Sequence, residues 1–393
     1  MRIAISGAGV AGTALAYWLH RTGHTPTVIE RAPAFRAGGY MIDFWGIGYT
    51  VARRMGIADQ IHEAGYHMET VRSVDADGRA LAELDAGVFT HLIGDDFITL
   101  PRGDLAAAIY ATVSDKVEVI FGDSITAIDQ HDDGVRLTFS HAGPRDFDLL
   151  IGADGLHSNV RRLAFGPDAE FENYLGCKVA AAVVAGYEPR DDLTYVTHAA
   201  PGRQVSRVAL RDDRTLALFV FRDDTAADGD PKTILRERFA DVGWECPQLL
   251  AALADQAGVA EADDLYFDAV SQVRMDRWSH GRVLLIGDAA GCISLLGGEG
   301  TGLAITEAYV LAGELHAAKG DHVRAFHAYE ERLRPFIEAK QAGARRFVGF
   351  FATRTRLGLW FRKQALRAMN LRILTSLFAG AVRDDIDLPD YGI

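Results

Sequence analysis

Apolar positions along the chain follow two periods, and the places where one period gives way to the other outline the fold. "RIAIS" at the start is an apolar run closed by a glycine-rich turn, the pattern of a strand covered on both faces. Leu15, Trp18 and Leu19 then recur at helical spacing, Gly23 ends that helix, and Val28 and Ile29 mark a second short strand. The alternation returns at 149–151, an apolar strand followed by Gly152, Asp154 and Gly155 in a turn. It returns again at 283–286, a buried strand meeting a Gly-Asp turn. A full helix then begins near Thr301, with Leu303, Ala304, Ala308, Leu311 and Leu315 on one side and Gly320 as its stop. Another helical pattern starts near Asp104.

Between 163 and 274 the period changes to two. "KVAAAVVAGY", "RQVSRVALRD" and "TLALFVFRDD" alternate as strands do, and "DPKTILRERFADV" follows as a helix. This predicts a second, mainly antiparallel sheet beside the strand-and-helix units. Tyr195, Phe219 and Phe221 on those strands could line an aromatic pocket, although aromatic strand residues are more often plain core. No apolar run reaches the length of a membrane-spanning helix.

Composition narrows the class. A chain of 393 residues, 49% apolar and 24% charged, is globular and long enough for two or three domains. A net charge of -13 argues against a general grip on nucleic acid. Cys177, Cys246 and Cys292 are odd in number, far apart and without zinc-ligand spacing, so no disulfide framework or metal site is expected, and a reducing cytoplasm suits them. The segment 339–383 departs from the acidic average: it has no Asp or Glu but ten basic residues, mixed with Phe350, Phe351, Leu359, Trp360 and Phe361. A basic amphipathic helical layer packed on the main body is the preferred reading, with weak membrane contact as the alternative.

The first turn carries chemistry. Gly7, Gly9 and Gly12 fill a GxGxxG pattern between strand and helix: the first glycine for the tight turn, the second for close approach of a pyrophosphate, the third for helix–strand packing. The helix N-terminus then offers free N–H groups and a positive dipole end. Glu30 follows Gly12 by 18 residues, near the spacing at which an acid binds a ribose hydroxyl pair. An adenosine diphosphate moiety is expected here, which leaves NAD and FAD both open. "GGEGTG" after the strand at 283–286 favours the latter, because a pure NAD domain would complete its glycine-rich chemistry within its first units.

Four stretches in order, "GAGVAG" with "VIER", "PRGDL", "GADGLHSNVR" and "GDAAGCISLLGGEGTG", make the chain resemble the FAD-dependent monooxygenases of the p-hydroxybenzoate hydroxylase type, a family that includes tetracycline-degrading and polyketide enzymes. The ending "LPDY" is similar too. The resemblance implies an α/β fold with a discontinuous, Rossmann-like FAD-binding domain (1–72, 101–165 and 276–335), a mainly antiparallel substrate domain (73–100 and 166–275) and a C-terminal helical segment (336–393). It implies that Gly7, Gly9, Val10, Ala11 and Gly12 hold the FAD pyrophosphate, Glu30 the adenosine ribose, and Arg102 the ribose-phosphate region, with Arg31 a further cofactor-binding residue. Asp288 would take the ribityl-pyrophosphate part, and Asp154 and Arg161 a turn near both FAD and the nicotinamide. Arg36 and Asp43 fall where tetracycline-degrading relatives carry residues near the cofactors, with Gly38 and Gly39 on a loop beside the flavin ring.

Gly298, Gly300, Thr301 and Gly302 would let the flavin ring lie against a helix start, whose unpaired N–H groups and positive end suit reduced flavin. The family's His, Pro and Asn are replaced here by Gly291, Leu295 and Gly302, which leaves FAD binding intact and puts substrate placement near Leu295 in question. The implied activity is hydroxylation of a small hydrophobic, aromatic or polyketide-like substrate by molecular oxygen through a flavin C4a-hydroperoxide. NADPH, or else NADH, would be the transient donor, and no catalytic base or metal is nominated. A halogenase is disfavoured because the tryptophans show no WxWxIP segment. A reductase of a prenyl or other hydrophobic substrate, and a flavin-binding protein without turnover, stay open, as do monomer and dimer.

Overall fold

The computed structural model describes residues 1–35, 38, 40–87, 96–225, 229–254, 265–369 and 386–393. Its first sheet has six strands, in the order Ser279–His280, Val283–Leu285, Leu149–Gly152, Arg2–Ser6, Thr25–Glu30 and Glu118–Phe121. All pair in parallel except the first two, which are antiparallel. Ile3, Ala4 and Ile5 are fully buried because helices cover the sheet, which is why this strand reads as a continuous apolar run. Sequence-distant strands meet here: Arg2–Ser6 is flanked by Thr25–Glu30 and by Leu149–Gly152, and the latter by Val283–Leu285.

The helix Val10–Arg21 follows the first turn, and the helix Gly300–Ala317 packs directly against it. Gly12 permits the close approach of helix and strand: a Cβ there would lie 1.9 Å from the Gly7 carbonyl oxygen. The last long helix, His322–Phe351, starts at Asp321, whose carboxylate accepts the Arg324 N–H, and packs on Gly300–Ala317.

A second sheet has seven strands, in the order Tyr266–Val273, Glu172–Ala185, Arg214–Arg222, Arg203–Leu210, Thr194–Ala200, Thr70–Val74 and Ala80–Asp85. It is antiparallel apart from one parallel pair, Thr194–Ala200 with Thr70–Val74. Its outer face is covered by the helices Pro231–Phe239 and Cys246–Ala254, through a core that contains Phe219, Phe221 and Phe239. The helix Arg356–Met369 lies against Ala80–Asp85 and Thr194–Ala200. Among the described residues no helix is long and apolar enough to cross a membrane, and no cluster of metal-ligating side chains occurs. The three cysteines are each buried and unbridged.

Candidate cofactor and substrate site

A cleft of about 310 Å³ runs along the ends of the parallel strands. Its first wall is the turn after Arg2–Ser6. Gly7 has φ +104°, and a Cβ there would sit 2.6 Å from the Ala153 carbonyl oxygen, so only glycine suits the position. Gly9 faces open space, and the helix it precedes has neither a side-chain cap nor an acid in its first turn. Gly7, Gly9, Val10 and Ala11 all line the cleft. Gly12 does not: its work is the packing contact described above.

Glu30, at the end of the neighbouring strand, lines the cleft beside Arg31. Its carboxylate is held by the N–H groups of Ala8 and Ala32, each at 2.8 Å. Arg102 opens the helix Arg102–Ala111 and also lines the cleft, its N–H donating to the Tyr40 carbonyl at 2.9 Å.

The opposite end is built by the Gly287 turn and the start of Gly300–Ala317. Asp288 is exposed to the cleft, and the protein around it pushes its carboxyl above the usual range while the Arg102 guanidinium opposes that shift. Gly298 (φ +74°), Gly300, Thr301 and Leu295 line the same end. The helix start again has no side-chain cap and no acid in its first turn. Two uncapped helix N-termini therefore open on one cleft, a donor array suited to anionic or carbonyl groups of an extended ligand.

Several expectations are corrected. Arg161 does not face the cleft: it is fully buried, and its guanidinium donates to the Ala289 carbonyl (3.0 Å), the Leu156 carbonyl (2.6 Å) and Asp168 (2.6 Å), tying the Asp154 turn to the Asp288 turn from behind. Asp154 does line the cleft, but its carboxylate is engaged by the hydroxyls of Ser6 and Ser158 and by the N–H groups of Asn159 and Val160. Gly302 points away from the cleft, because its Cα lies where a Cβ on Gly48 would come within 2.4 Å. Its bare backbone serves contact with the helix Gly46–Met55. Asp43 opens with Gly302 on a separate small pocket and accepts the Thr99 hydroxyl at 2.5 Å. Arg36 and Gly39 lie outside the described residues.

Register decides the substrate-side expectations. Leu218 pairs with Ser206 and with Ala181, and Ala181 pairs with Tyr266, so these share one face of the seven-stranded sheet. Tyr195, opposite Val208, is on the same face. Tyr195, Leu218 and Tyr266 are only partly buried there, and with Tyr40 and Met41 they form an apolar and aromatic surface next to the cleft. Phe219 and Phe221 alternate with Leu218 and Val220, hence point the other way, and both are fully buried against Phe239. They are core, not pocket.

Sequence reading passed over part of the wall. Tyr40, Tyr266 and Asp268 line the cleft, and Tyr40 and Tyr266 lie 5.2 Å apart between ring centroids. Burial pushes the Tyr40 hydroxyl up to about 12. Asp268 accepts from His157 at 3.1 Å and holds that imidazole more protonated than usual. For Tyr266 and Asp268 the signal is the strand "YFDAVSQV", whose apolar–polar alternation does not say which face is filled.

A model of the FAD binding domain matches residues 1–342. A flavin-dependent monooxygenase from an unknown prokaryotic organism is 38% identical over 347 residues, covering 87% of this chain and 88% of its own. The FAD-dependent monooxygenase asL6 of Sarocladium schorii is 31% identical over 422 residues, covering 100% of this chain and 98% of its own. Among solved structures, tetracycline destructase Tet(55) superposes with a TM-score of 0.82 at 34% identity, over 99% of this chain and 98% of that one. Klebsiella pneumoniae R204Q HpxO complexed with FAD shares the fold, with a TM-score of 0.80 at 22% identity over 98% of this chain and 99% of that one.

Proposed function

The chain belongs to the FAD binding domain family and is an FAD-dependent monooxygenase, and on that premise we propose that it hydroxylates an aromatic or polyketide-like substrate with NADPH, or else NADH, as electron donor. The observation that carries this reading is the meeting of two surfaces: a cleft fed by two uncapped helix N-termini, and a partly buried aromatic sheet face beside it.

The residues suit FAD. The amides at Gly9, Val10 and Ala11 would receive the pyrophosphate, and a Cβ-free Gly9 leaves room for it. Glu30, already oriented by two backbone amides, keeps lone pairs for a ribose hydroxyl pair. Asp288 and Arg102 would hold the ribityl and ribose-phosphate parts, with Arg31 near the adenosine end. Gly298, Gly300 and Thr301 present the second helix start to the ring, where its partial positive charge favours electron gain. Bound FAD supplies the redox and oxygen chemistry. The chain's own task is to exclude water and hold the ring of the substrate between Leu295 and the face carrying Tyr195 and Tyr266. We read 1–72, 101–165 and 276–335 as the FAD-binding part and 73–100 with 166–275 as the substrate part.

The helix Arg356–Met369 turns Leu357, Trp360 and Phe361 outward, at 65%, 52% and 59% exposure, beside Arg356 and Arg367. This supports weak contact with an anionic membrane surface, which co-sedimentation with phosphatidylglycerol against phosphatidylcholine vesicles tests.

Aerobic and anaerobic NADPH consumption with a panel of phenols and polycyclic ketones tests the main reading. Substrate-stimulated consumption that needs oxygen and yields a hydroxylated product supports it. Substrate reduction without oxygen points to a reductase, and bound FAD without turnover points to a binding protein.

A further inference from the structure

The inner face of the seven-stranded sheet carries a file of polar side chains that neither the FAD cleft nor the aromatic surface requires. Gln204, Ser206 and Thr197 are 1%, 1% and 4% exposed, on strands whose neighbours on this face are apolar. The amide nitrogen of Gln204 donates to the Ser206 hydroxyl at 3.3 Å, and that hydroxyl donates to Thr197 at 3.1 Å. Ser206 also lies beside the Tyr195 hydroxyl.

At the head of the file is Arg362, from the inner side of the helix Arg356–Met369, one turn before the buried Leu366. Its guanidinium donates to the Gln204 side-chain oxygen at 2.5 Å and to the Phe350 carbonyl at 3.0 Å, and stacks 4.4 Å from the Phe350 ring centroid. Among the described residues no carboxylate pairs with it. A guanidinium has five N–H donors in a planar fork, so two bonds to neutral oxygens leave most of its capacity and all of its charge uncompensated. Burial lowers its pKa to about 10, which still leaves a cation at neutral pH. Exposed Arg354, Arg356 and Arg367 surround it in sequence, so the region stays positive on a chain of net charge -13.

We infer that Arg362 is a substrate-binding residue that receives an oxyanion, a carboxylate or enolate, of the molecule to be hydroxylated. The inference rests on the monooxygenase reading for where the substrate lies. Tyr195, on the aromatic face, is within electrostatic reach of this cation. Gln204, held by Ser206, is the positioning residue that fixes the fork.

The test uses the FAD-loaded protein and reads the flavin absorbance during titration with salicylate and with its neutral isostere salicylamide. Wild type should bind the carboxylate about tenfold to a hundredfold more tightly, as a charge-assisted pair gives. Arg362→Met should bring the ratio close to one and Arg362→Lys should keep part of it, with FAD content and far-ultraviolet circular dichroism unchanged. A wild-type ratio near one, a ratio that survives in Arg362→Met, or no spectral response to either compound at millimolar concentration overturns the inference. Where Arg362→Met fails to fold, the reduced ratio expected of Arg362→Lys carries the comparison, an unchanged ratio there overturning the inference. Oxygen-dependent turnover is scored separately, so preserved anion selectivity without hydroxylation refutes the monooxygenation reading and leaves the anion site standing.

Discussion

The backbone N–H of Gly287 donates to the carboxylate of Glu307 at 2.6 Å, and the same oxygen accepts the Tyr329 hydroxyl at 2.8 Å. This buried link joins the turn that presents Asp288 to the helix whose N-terminus opens on the cleft, so one side chain sets the distance between two parts of the FAD site.

Burial raises the Glu307 pKa from 4.5 to about 7, against the opposing bonds from Gly287 and Tyr329. The folded protein therefore holds a proton that the unfolded chain releases. This contribution to stability is fully present below pH 4.5 and is lost as pH rises through about 7. Glu307→Gln should flatten the stability profile across that window by up to about 3 kcal/mol. Glu307→Ala, which strands a buried N–H and a buried hydroxyl, should cost about 2–4 kcal/mol at any pH. Denaturant unfolding of the FAD-loaded protein at pH 5 and pH 8 checks both.

Two glycines of the first turn should separate folding from binding. Gly12→Ala puts a Cβ 1.9 Å from the Gly7 carbonyl oxygen and is expected to yield insoluble or strongly destabilised protein. Gly9 has nothing within 4 Å and an ordinary extended backbone, so Gly9→Val should fold normally yet lose FAD affinity by at least about tenfold, because the side chain enters the pyrophosphate space. Thermal melting with and without FAD distinguishes the two outcomes.

For Asp288 the expected defect is local. Asp288→Ala should weaken FAD binding about tenfold or more, the loss of one charged hydrogen-bonding group, while apoprotein stability stays equal or rises, because a carboxylate crowded by protein is removed. FAD titration followed by flavin fluorescence measures the first effect and apoprotein melting the second.

On the sheet, opposite faces predict opposite phenotypes. Phe219→Ala should cost about 3–5 kcal/mol of stability with little change in KM, since Phe219 is fully buried against Phe239. Tyr195→Phe should change KM or product profile with little change in stability. The reverse pattern in paired melting and steady-state measurements would reject the assignment of faces.

These contrasts mark how far the sequence was legible. Gly7, Gly9, Gly12 and Glu30 were readable because a tight turn, a close helix–strand contact and an end-of-strand acid are local demands on a few neighbouring residues. The cleft that gathers Arg102 with Asp288 was readable only through the order of motifs, since the parallel sheet bringing them together pairs strands far apart in the chain. Side-chain direction was not legible. Arg161 belongs to a turn at the cleft yet points behind it, and Gly302 belongs to a glycine-rich helix start yet meets Gly48 on its far side. Phe219 and Tyr195 both read as aromatic strand residues, and only inter-strand register separates core from chamber. Arg362 escaped notice for a related reason. In a run of ten basic residues nothing in the sequence marks Arg362 as turning inward.

Isotope labelling tests the central claim most directly. Under ¹⁸O₂, with NADPH and a phenolic or polyketide substrate that stimulates its oxidation, the product should gain one oxygen atom carrying the label, seen as a matched mass shift, with none from labelled water. A product that gains hydrogen instead, forms equally well without oxygen, or takes its oxygen from water would contradict monooxygenation.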